Sequence, residues 1–359
     1  MSKPRLIAFY LPQYYPTPEN NEWWMPGFTE WTNVAKARPL FHGHYQPKIP
    51  ADLGFYDLRV PETREHQAVL AKEAGIEGFC YWHYWFAGRR LLDRVFREVV
   101  ESGKPDFPFC LCWANHDWYQ KTWEPNSPNR LLIKQTYPGE QDYIAHFNAM
   151  LTAFKDPRYM KVDGKLIFGI YSPLSIPDFK LFKTIWNRLA KENGLNGFYF
   201  VGFTFKEDDK DNILAIGLDA VTIDYTQLAT SYSQNALKFY FETLKKRLFH
   251  IPRTRVYNEY CNYVLTHYQC QDNIYPCIIP NFDHSPRSGY RGVIFTKSTP
   301  RTWGNFCRDM FSMLEFRSHE KNLLFIKAWN EWGEGNYLEP DLKFGKQYIQ
   351  LLRESYDSF

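Results

Sequence analysis

Several signals are missing from this 359-residue sequence. No apolar run approaches the roughly 18 residues that a membrane-spanning helix needs. The seven cysteines include no C-x-x-C pair, and Cys80, Cys110, Cys112 and Cys277 sit inside apolar runs, so they read as reduced core thiols. Net charge is nearly absent: 43 Lys and Arg against 40 Asp and Glu leave +3, too little to mark nucleic acid as a partner. No G-x-G-x-x-G follows the first strand-like run, which weakens a dinucleotide site, and no H-E-x-x-H occurs. Internal repeats, low-complexity tracts and interdomain linkers are also lacking. The N-terminal MSKPRLIAFYLPQYY enters a strand-like run within five residues and has no small-residue cleavage site, so a cytoplasmic location is expected.

Apolar residues, by contrast, make up 44% and aromatics 18%, with twelve tryptophans. Each indole N–H needs a partner, so some of these rings are expected at a surface that stacks sugar faces or flat ligands, and others in the core. Eight apolar runs recur: 5–13, 76–85, 107–118, 165–172, 197–205, 218–225, 275–284 and 322–332. Helical patterns fill the gaps. Leu92, Val95, Phe96 and Val99 fall at helical spacing before Gly103, residues 61–75 open on Pro61 and close on Gly75, and residues 178–194 repeat the pattern. Buried runs alternating eight times with helices predict one (β/α)8 barrel over residues 1–359. The connections 14–60 and 226–274 exceed plain loops and read as lids or binding loops.

Active sites of such barrels lie at the carboxyl ends of the strands. The candidate binding residues collect there. Tyr10 ends the first run; Trp82, His83, Tyr84 and Trp85 the second; Trp113, Asn115, His116, Asp117 and Trp118 the third. Tyr171, then Asp224 and Tyr225, then Asp283 follow, and Trp329, Asn330 and Trp332 close the eighth. Trp31 in the first long connection and Arg287 beyond the seventh run complete the set.

Glu331 and Glu334 stand three apart in AWNEWGEGNYLEP, 328–340. Glycosidic bond cleavage needs one carboxylic acid and one carboxylate, roughly 5–5.5 Å apart for retention and 6.5–9.5 Å for inversion. Residues at i and i+3 of a helix-like turn have Cβ atoms about 5–6 Å apart. Gly333 and Gly335 permit such a turn. The spacing therefore fits an acid/base pair, retention favoured. The competing reading places both glutamates in the first turn of a final helix, where acids complement its dipole.

WNEWGEGNYLEP resembles the F-N-E-W-H-E-G-T-x-I-E-P signature of glycoside hydrolase family 99, the endo-α-mannosidases and endo-α-mannanases. IAFYLPQYYP, WWMPGFTEWTNV, YQPKIPADLGFYDL, GFCYWHYWFAGRRLL, LCWANHDW and PNFDHSPR are similar to the WbsX-type family of O-antigen and capsule gene clusters, described as glycosyltransferases. The resemblance runs from about residue 5 to 350. It implies a barrel acting on a polysaccharide or glycan without a cofactor. By position, it implies Glu334 as acid/base toward the leaving group and Glu331 as the base acting on the sugar 2-hydroxyl. Gly333 replaces the histidine of the family 99 signature, and Asn336-Tyr337 its Thr-containing pair.

Other constellations have two readings each. His83, His116, Asp117, Asp283 and His284 either bind a metal or, as preferred, hydrogen-bond sugar hydroxyls without one. Arg287 either meets a substrate carboxylate or phosphate, or pairs with Asp283 to hold a loop. The basic, partly amphipathic segment 237–255 is either a solvated helix face or a peripheral membrane contact. Three functions follow: a retaining endo-glycosidase, a transferase of surface-glycan assembly, or a silent carbohydrate-binding barrel.

Overall fold

The eight apolar runs become eight parallel strands in the computed structural model, which describes residues 2–120, 130–232, 236–314 and 316–359, the side chains at 230–232, 236–239 and 241 excepted. They are β1 (Arg5–Tyr10), β2 (Gly78–Phe86), β3 (Phe109–Trp113), β4 (Lys165–Ile170), β5 (Phe198–Thr204), β6 (Ala220–Asp224), β7 (Ile274–Ile278) and β8 (Leu323–Ile326). Each pairs with its sequence neighbour, and β1 pairs with β8 from Arg5↔Leu323 to Ala8↔Ile326. The ring is closed, as a (β/α)8 barrel requires.

Helices cover the outside of the ring, which explains why the strands read as continuous apolar runs rather than alternating ones. The first excursion carries α1 (Pro18–Trp23) and α2 (Glu30–Lys36) before the covering helix α3 (Pro61–Glu73). Next come α4 (Arg94–Ser102), α5 (Glu140–Phe154), α6 (Phe179–Glu192) and α7 (Lys210–Ala215). The second excursion holds α8 (Thr226–Tyr232), α9 (Ala236–Phe249) and α10 (Tyr257–His267). The short α11 (Ser285–Ser288), then α12 (Pro300–Ser312) and α13 (Gln347–Asp357), finish the chain. Both long connections thus carry helices of their own.

Side chains from seven strands meet on the barrel axis: Phe9, Cys80, Cys112, Gly169, Phe203, Thr222 and Phe325 border one small void. A Cβ on Gly169 would lie 2.8 Å from Cys112 Sγ, so this strand position is left bare to admit the thiol. Six cysteines are buried and Cys270 is exposed, all as free thiols.

Several predicted runs overshoot, among them 5–13, which stops as a strand at Tyr10, and 275–284, which stops at Ile278; in two others the side chain that ends the ladder is plain. The run 107–118 stops as a strand at Trp113, where Asn115 turns its amide to the Ser172 carbonyl, 2.9 Å away. The run 322–332 leaves the barrel at Ile326, and Asn330–Glu331 instead pairs antiparallel with Asn336–Tyr337. In both cases an asparagine side chain competes for backbone partners that would continue the ladder.

Candidate active site

The exit from β8 is built by side-chain hydrogen bonds. Asn330 Oδ1 accepts from the Leu11 amide at 2.8 Å, and its Nδ2 donates to the Leu11 carbonyl at 3.0 Å. This fixes the next residues over the end of β1. Trp332–Glu334 then form one 3-10 turn, closed by Gly335 at φ +57°. A 3-10 turn eclipses residues three apart, so Glu331 and Glu334 project to the same side. A Cβ on Gly335 would meet Lys48 Nζ at 2.6 Å, because Lys48 passes under the turn and donates to the Gly335 carbonyl. The last helix begins only at Gln347, so neither glutamate serves as a helix start.

Both carboxylates end on one guanidinium. Arg287 Nη1 donates to Glu334 Oε1 at 2.6 Å and Nη2 to Glu331 Oε2 at 2.9 Å. Its Nε donates to Glu30 Oε2 at 3.0 Å, bringing in a third carboxylate from α2. Lys327, the first residue beyond β8, places Nζ 3.7 Å from Glu334 Oε2 and 3.3 Å from Asp224 Oδ2. His284 Nε2 lies 3.8 Å from Glu334 Oε1. Arg287 therefore does not serve as the partner of Asp283, a correction to one expectation. Asp283 accepts from His44 and Gln46 at 2.8 and 2.7 Å, with His44 and nearby Lys48 pulling its carboxyl down to about 2 against burial.

Burial pushes the Glu331 carboxyl up to about 7; Arg287 opposes this and Glu334 adds to it. Burial works against the Lys327 ammonium, but Asp224 and Glu334 more than offset it and hold the group protonated. The site thus combines a carboxyl that titrates near neutrality with a second one facing three cationic or donor groups.

These groups form one wall of a cavity of about 460 Å³. The opposite walls are aromatic: Trp82, Tyr84, Trp118, Tyr171, Trp24 and Phe28. Trp82 stacks on Phe9 with centroids 4.5 Å apart, and Tyr171 stacks on Phe203 at 5.3 Å, so the barrel core fixes both rings. His116 and Asp117 also border the cavity.

Strand alternation decides which expected residues face it. Trp82 and Tyr84 point in, whereas His83 and Trp85 point out to α5, where His83 meets His146 at 2.7 Å and Trp85 donates to Asp142 at 3.1 Å. Burial holds His83 down at about 3, a neutral ring. Trp113 packs outward on Phe182, Tyr10 donates to Gln67, and Tyr225 packs against Tyr263. Asn115 ties two loops, and Asp224 stands behind Lys327. Trp329, Asn330, Trp332 and Trp31 lie behind the glutamate turn: Trp332 Nε1 donates to Glu339 at 2.6 Å and Trp31 packs on Trp332 at 5.5 Å. These positions do not line the cavity.

Glu30, Lys327, Gln13, Asn20 and Trp24 also border the cavity; the pattern singles out none of them as a site residue, although Asn20, Trp24 and Glu30 fall in the connection 14–60 expected to be a lid or binding loop. Lys327 had a usable signal, since it continues the inward parity of Phe325. Glu30 had none, because its partner Arg287 is 257 residues away. Among the described residues, no three His, Cys, Asp or Glu side chains come together as metal ligands.

Gly333 is explained by Glu30. A Cβ there would lie 1.9 Å from Glu30 Oε2 and 2.9 Å from Arg287 Nε. Gly333→Ala is therefore expected to push the Glu30 carboxylate off Arg287 and destabilise the fold by roughly 1–3 kcal/mol, the usual cost of overpacking. Urea unfolding measures this, and a Glu30→Ala background should recover part of the loss. Full additivity of the two substitutions would remove the contact as the cause.

The model of the family described as glycosyltransferase WbsX matches residues 6–352. The uncharacterized protein WxcX of Xanthomonas campestris pv. campestris, strain ATCC 33913, is 34% identical over 362 residues, 98% of this chain and 49% of WxcX. WxcX of strain B100 matches to the same extent. The chain thus spans about half the length of the curated relatives it matches. Among solved structures, a GH99 endo-alpha-mannosidase from Bacteroides thetaiotaomicron superposes with TM-score 0.59 and 14% identity, covering 99% of this chain and 97% of that one. A structure titled glycoside hydrolase-like protein gives TM-score 0.57 at 15% identity, covering 99% of this chain and 94% of that one. At these identities the likeness concerns the fold.

Proposed function

This chain belongs to the WbsX glycosyltransferase family, and we propose that it is a carbohydrate-active enzyme cutting polysaccharide glycosidic bonds with retention through Glu331 and Glu334. The observation that carries this is the convergence of both carboxylates on Arg287 in an aromatic-walled cavity. A single guanidinium holding both groups supports the short spacing of retaining enzymes rather than the wider gap that admits a water.

In this reading a sugar ring lies against Trp82 and Tyr171 with its anomeric carbon over the glutamate turn. Glu331 takes the proton of the 2-hydroxyl as O2 bonds to C1, and Glu334, which takes up a proton when the substrate displaces Arg287 from its Oε1, gives that proton to the departing oxygen as the C1–O bond breaks. Water then attacks C1 and opens the C1–O2 bond; Glu334 receives the water proton and Glu331 returns its proton to O2. A carboxyl near 7 is well matched to a base working at neutral pH. Trp24, Phe28 and Tyr119, which also border the cavity, offer further stacking positions for the neighbouring sugars of a polysaccharide.

A second reading rests on the family description. If an acceptor sugar hydroxyl replaces water in the second step, the same groups carry out transfer. Incubating the protein with a panel of polysaccharides, mannose-containing ones included, tests both. Oligosaccharides released without a nucleotide sugar, with the anomeric configuration retained by NMR, are the expected result. Strict dependence on a nucleotide donor would replace hydrolysis by transfer, and an inert panel under both conditions would sink both readings.

A further inference from the structure

Five exposed large apolar side chains fall in one short stretch: Tyr240 (63%), Leu244 (37%), Leu248 (60%), Phe249 (69%) and Ile251 (38%). Tyr240, Leu244 and Leu248 are four residues apart on α9 and share one face. An amphipathic surface helix normally turns that stripe to the core. Here the stripe faces water, and Phe249 and Ile251 extend it past the helix end.

The surroundings are cationic. Residues 236–255 carry six Lys and Arg against one acid, Glu242. That acid is bound to Arg255 at 2.9 Å, so it does not neutralise the others. Lys245 and Arg247 are exposed beside the stripe, and Lys246 donates to the Arg291 carbonyl at 3.0 Å, adding another arginine to the edge. Side chains 236–239 and 241 of the segment lie outside the described ones.

We propose that this ridge docks the protein onto an anionic lipid surface. Leu248, Phe249 and Ile251 enter the boundary between headgroups and acyl chains, while Lys245, Arg247 and Arg253 meet lipid phosphates. Charge complementarity selects this occupant over a second copy. In a two-fold dimer the same basic collar would face itself. The ridge is also wired to the cavity side. Arg253–Val256 pairs in parallel with Val293–Thr296, and that strand bonds back to Phe282 and His284 on the loop carrying Arg287. Docking would thus hold the cavity near glycans carried on lipid, a consequence that rests on the proposed function, whereas docking itself does not.

Flotation with phosphatidylcholine vesicles, with and without phosphatidylglycerol, tests this on the full chain. The expected result is binding that needs the anionic lipid and weakens with salt. The bound fraction of Leu248→Glu/Phe249→Glu should fall by about tenfold, with an unchanged melting temperature and unchanged cleavage of a soluble glycan. Equal binding to both vesicle types, no binding to either, or unaltered binding by the double variant would overturn the proposal. So would light scattering that finds a wild-type dimer and a monomeric variant, which assigns the ridge to self-association. Cleavage of the soluble glycan is read separately, so a failed vesicle arm leaves the catalytic reading to its own test.

Discussion

Glu331→Gln and Glu334→Gln are each expected to lower kcat by about 10²–10⁴-fold, the usual contribution of a positioned acid or base. Glutamine keeps the shape of both side chains and leaves an amide oxygen for Arg287, so folding is retained while proton transfer is lost. The pH profile separates the two roles. In the wild type, kcat/KM should rise through about 7 as Glu331 ionises to become a base. Glu30→Gln removes one of the negative charges that raise Glu331, so the same limb should move to lower pH. Stability has its own signature. The folded carboxyl lies above its unfolded value, so the stability it contributes is present below the unfolded value and is lost as pH rises through about 7. Glu331→Gln should flatten that decline. An unshifted limb in Glu30→Gln, or full activity in either catalytic variant, would remove these residues from the proposed chemistry.

Arg287→Met is expected to cost stability as well as activity. The guanidinium makes three hydrogen bonds to three different carboxylates and its side chain is only 23% exposed. Removing one partner of a buried charge pair typically costs roughly 3–5 kcal/mol, because the remaining charges are left without compensation. The loss should be largest at alkaline pH and should shrink as pH falls through about 7 and Glu331 becomes protonated. Urea midpoints at several pH values measure it. Arg287→Lys should rescue poorly, since a lysine is a point charge that cannot reproduce three directed N–H bonds. A pH-independent loss in Arg287→Met would mean that the arginine acts through packing rather than through charge.

The strands and most covering helices were legible because their signals are local. β2 and β8 each follow from a few consecutive apolar residues, and α4 from spacing of three and four. The glutamate turn was legible for the same reason: Glu331, Gly333, Glu334 and Gly335 are neighbours, and their spacing is a statement about one bend. The strand-end clusters were read too broadly. Trp82-His83-Tyr84-Trp85 looks like four binding residues in a row, yet an extended chain sends alternate side chains to opposite faces. Two of the four border the cavity, and the other two pack against α5. Applying the period of two from Phe9, Cys80 and Phe325 would have separated them and would have picked out Lys327.

Sequence alone determined whatever depends on residues within about one turn or one strand of each other: strand and helix identity, and the bend that brings Glu331 beside Glu334. Tertiary structure alone decided which side of each strand is the inside, since that requires β1 to close on β8 across more than 300 residues. It alone set Glu30 against Gly333 and Arg287, because a meeting of α2, α11 and the β8 exit leaves no trace in the spacing of any one segment. The physical reason is range. Backbone geometry and hydrophobic periodicity act along the chain, whereas charge compensation and packing act through space, once the ring has closed.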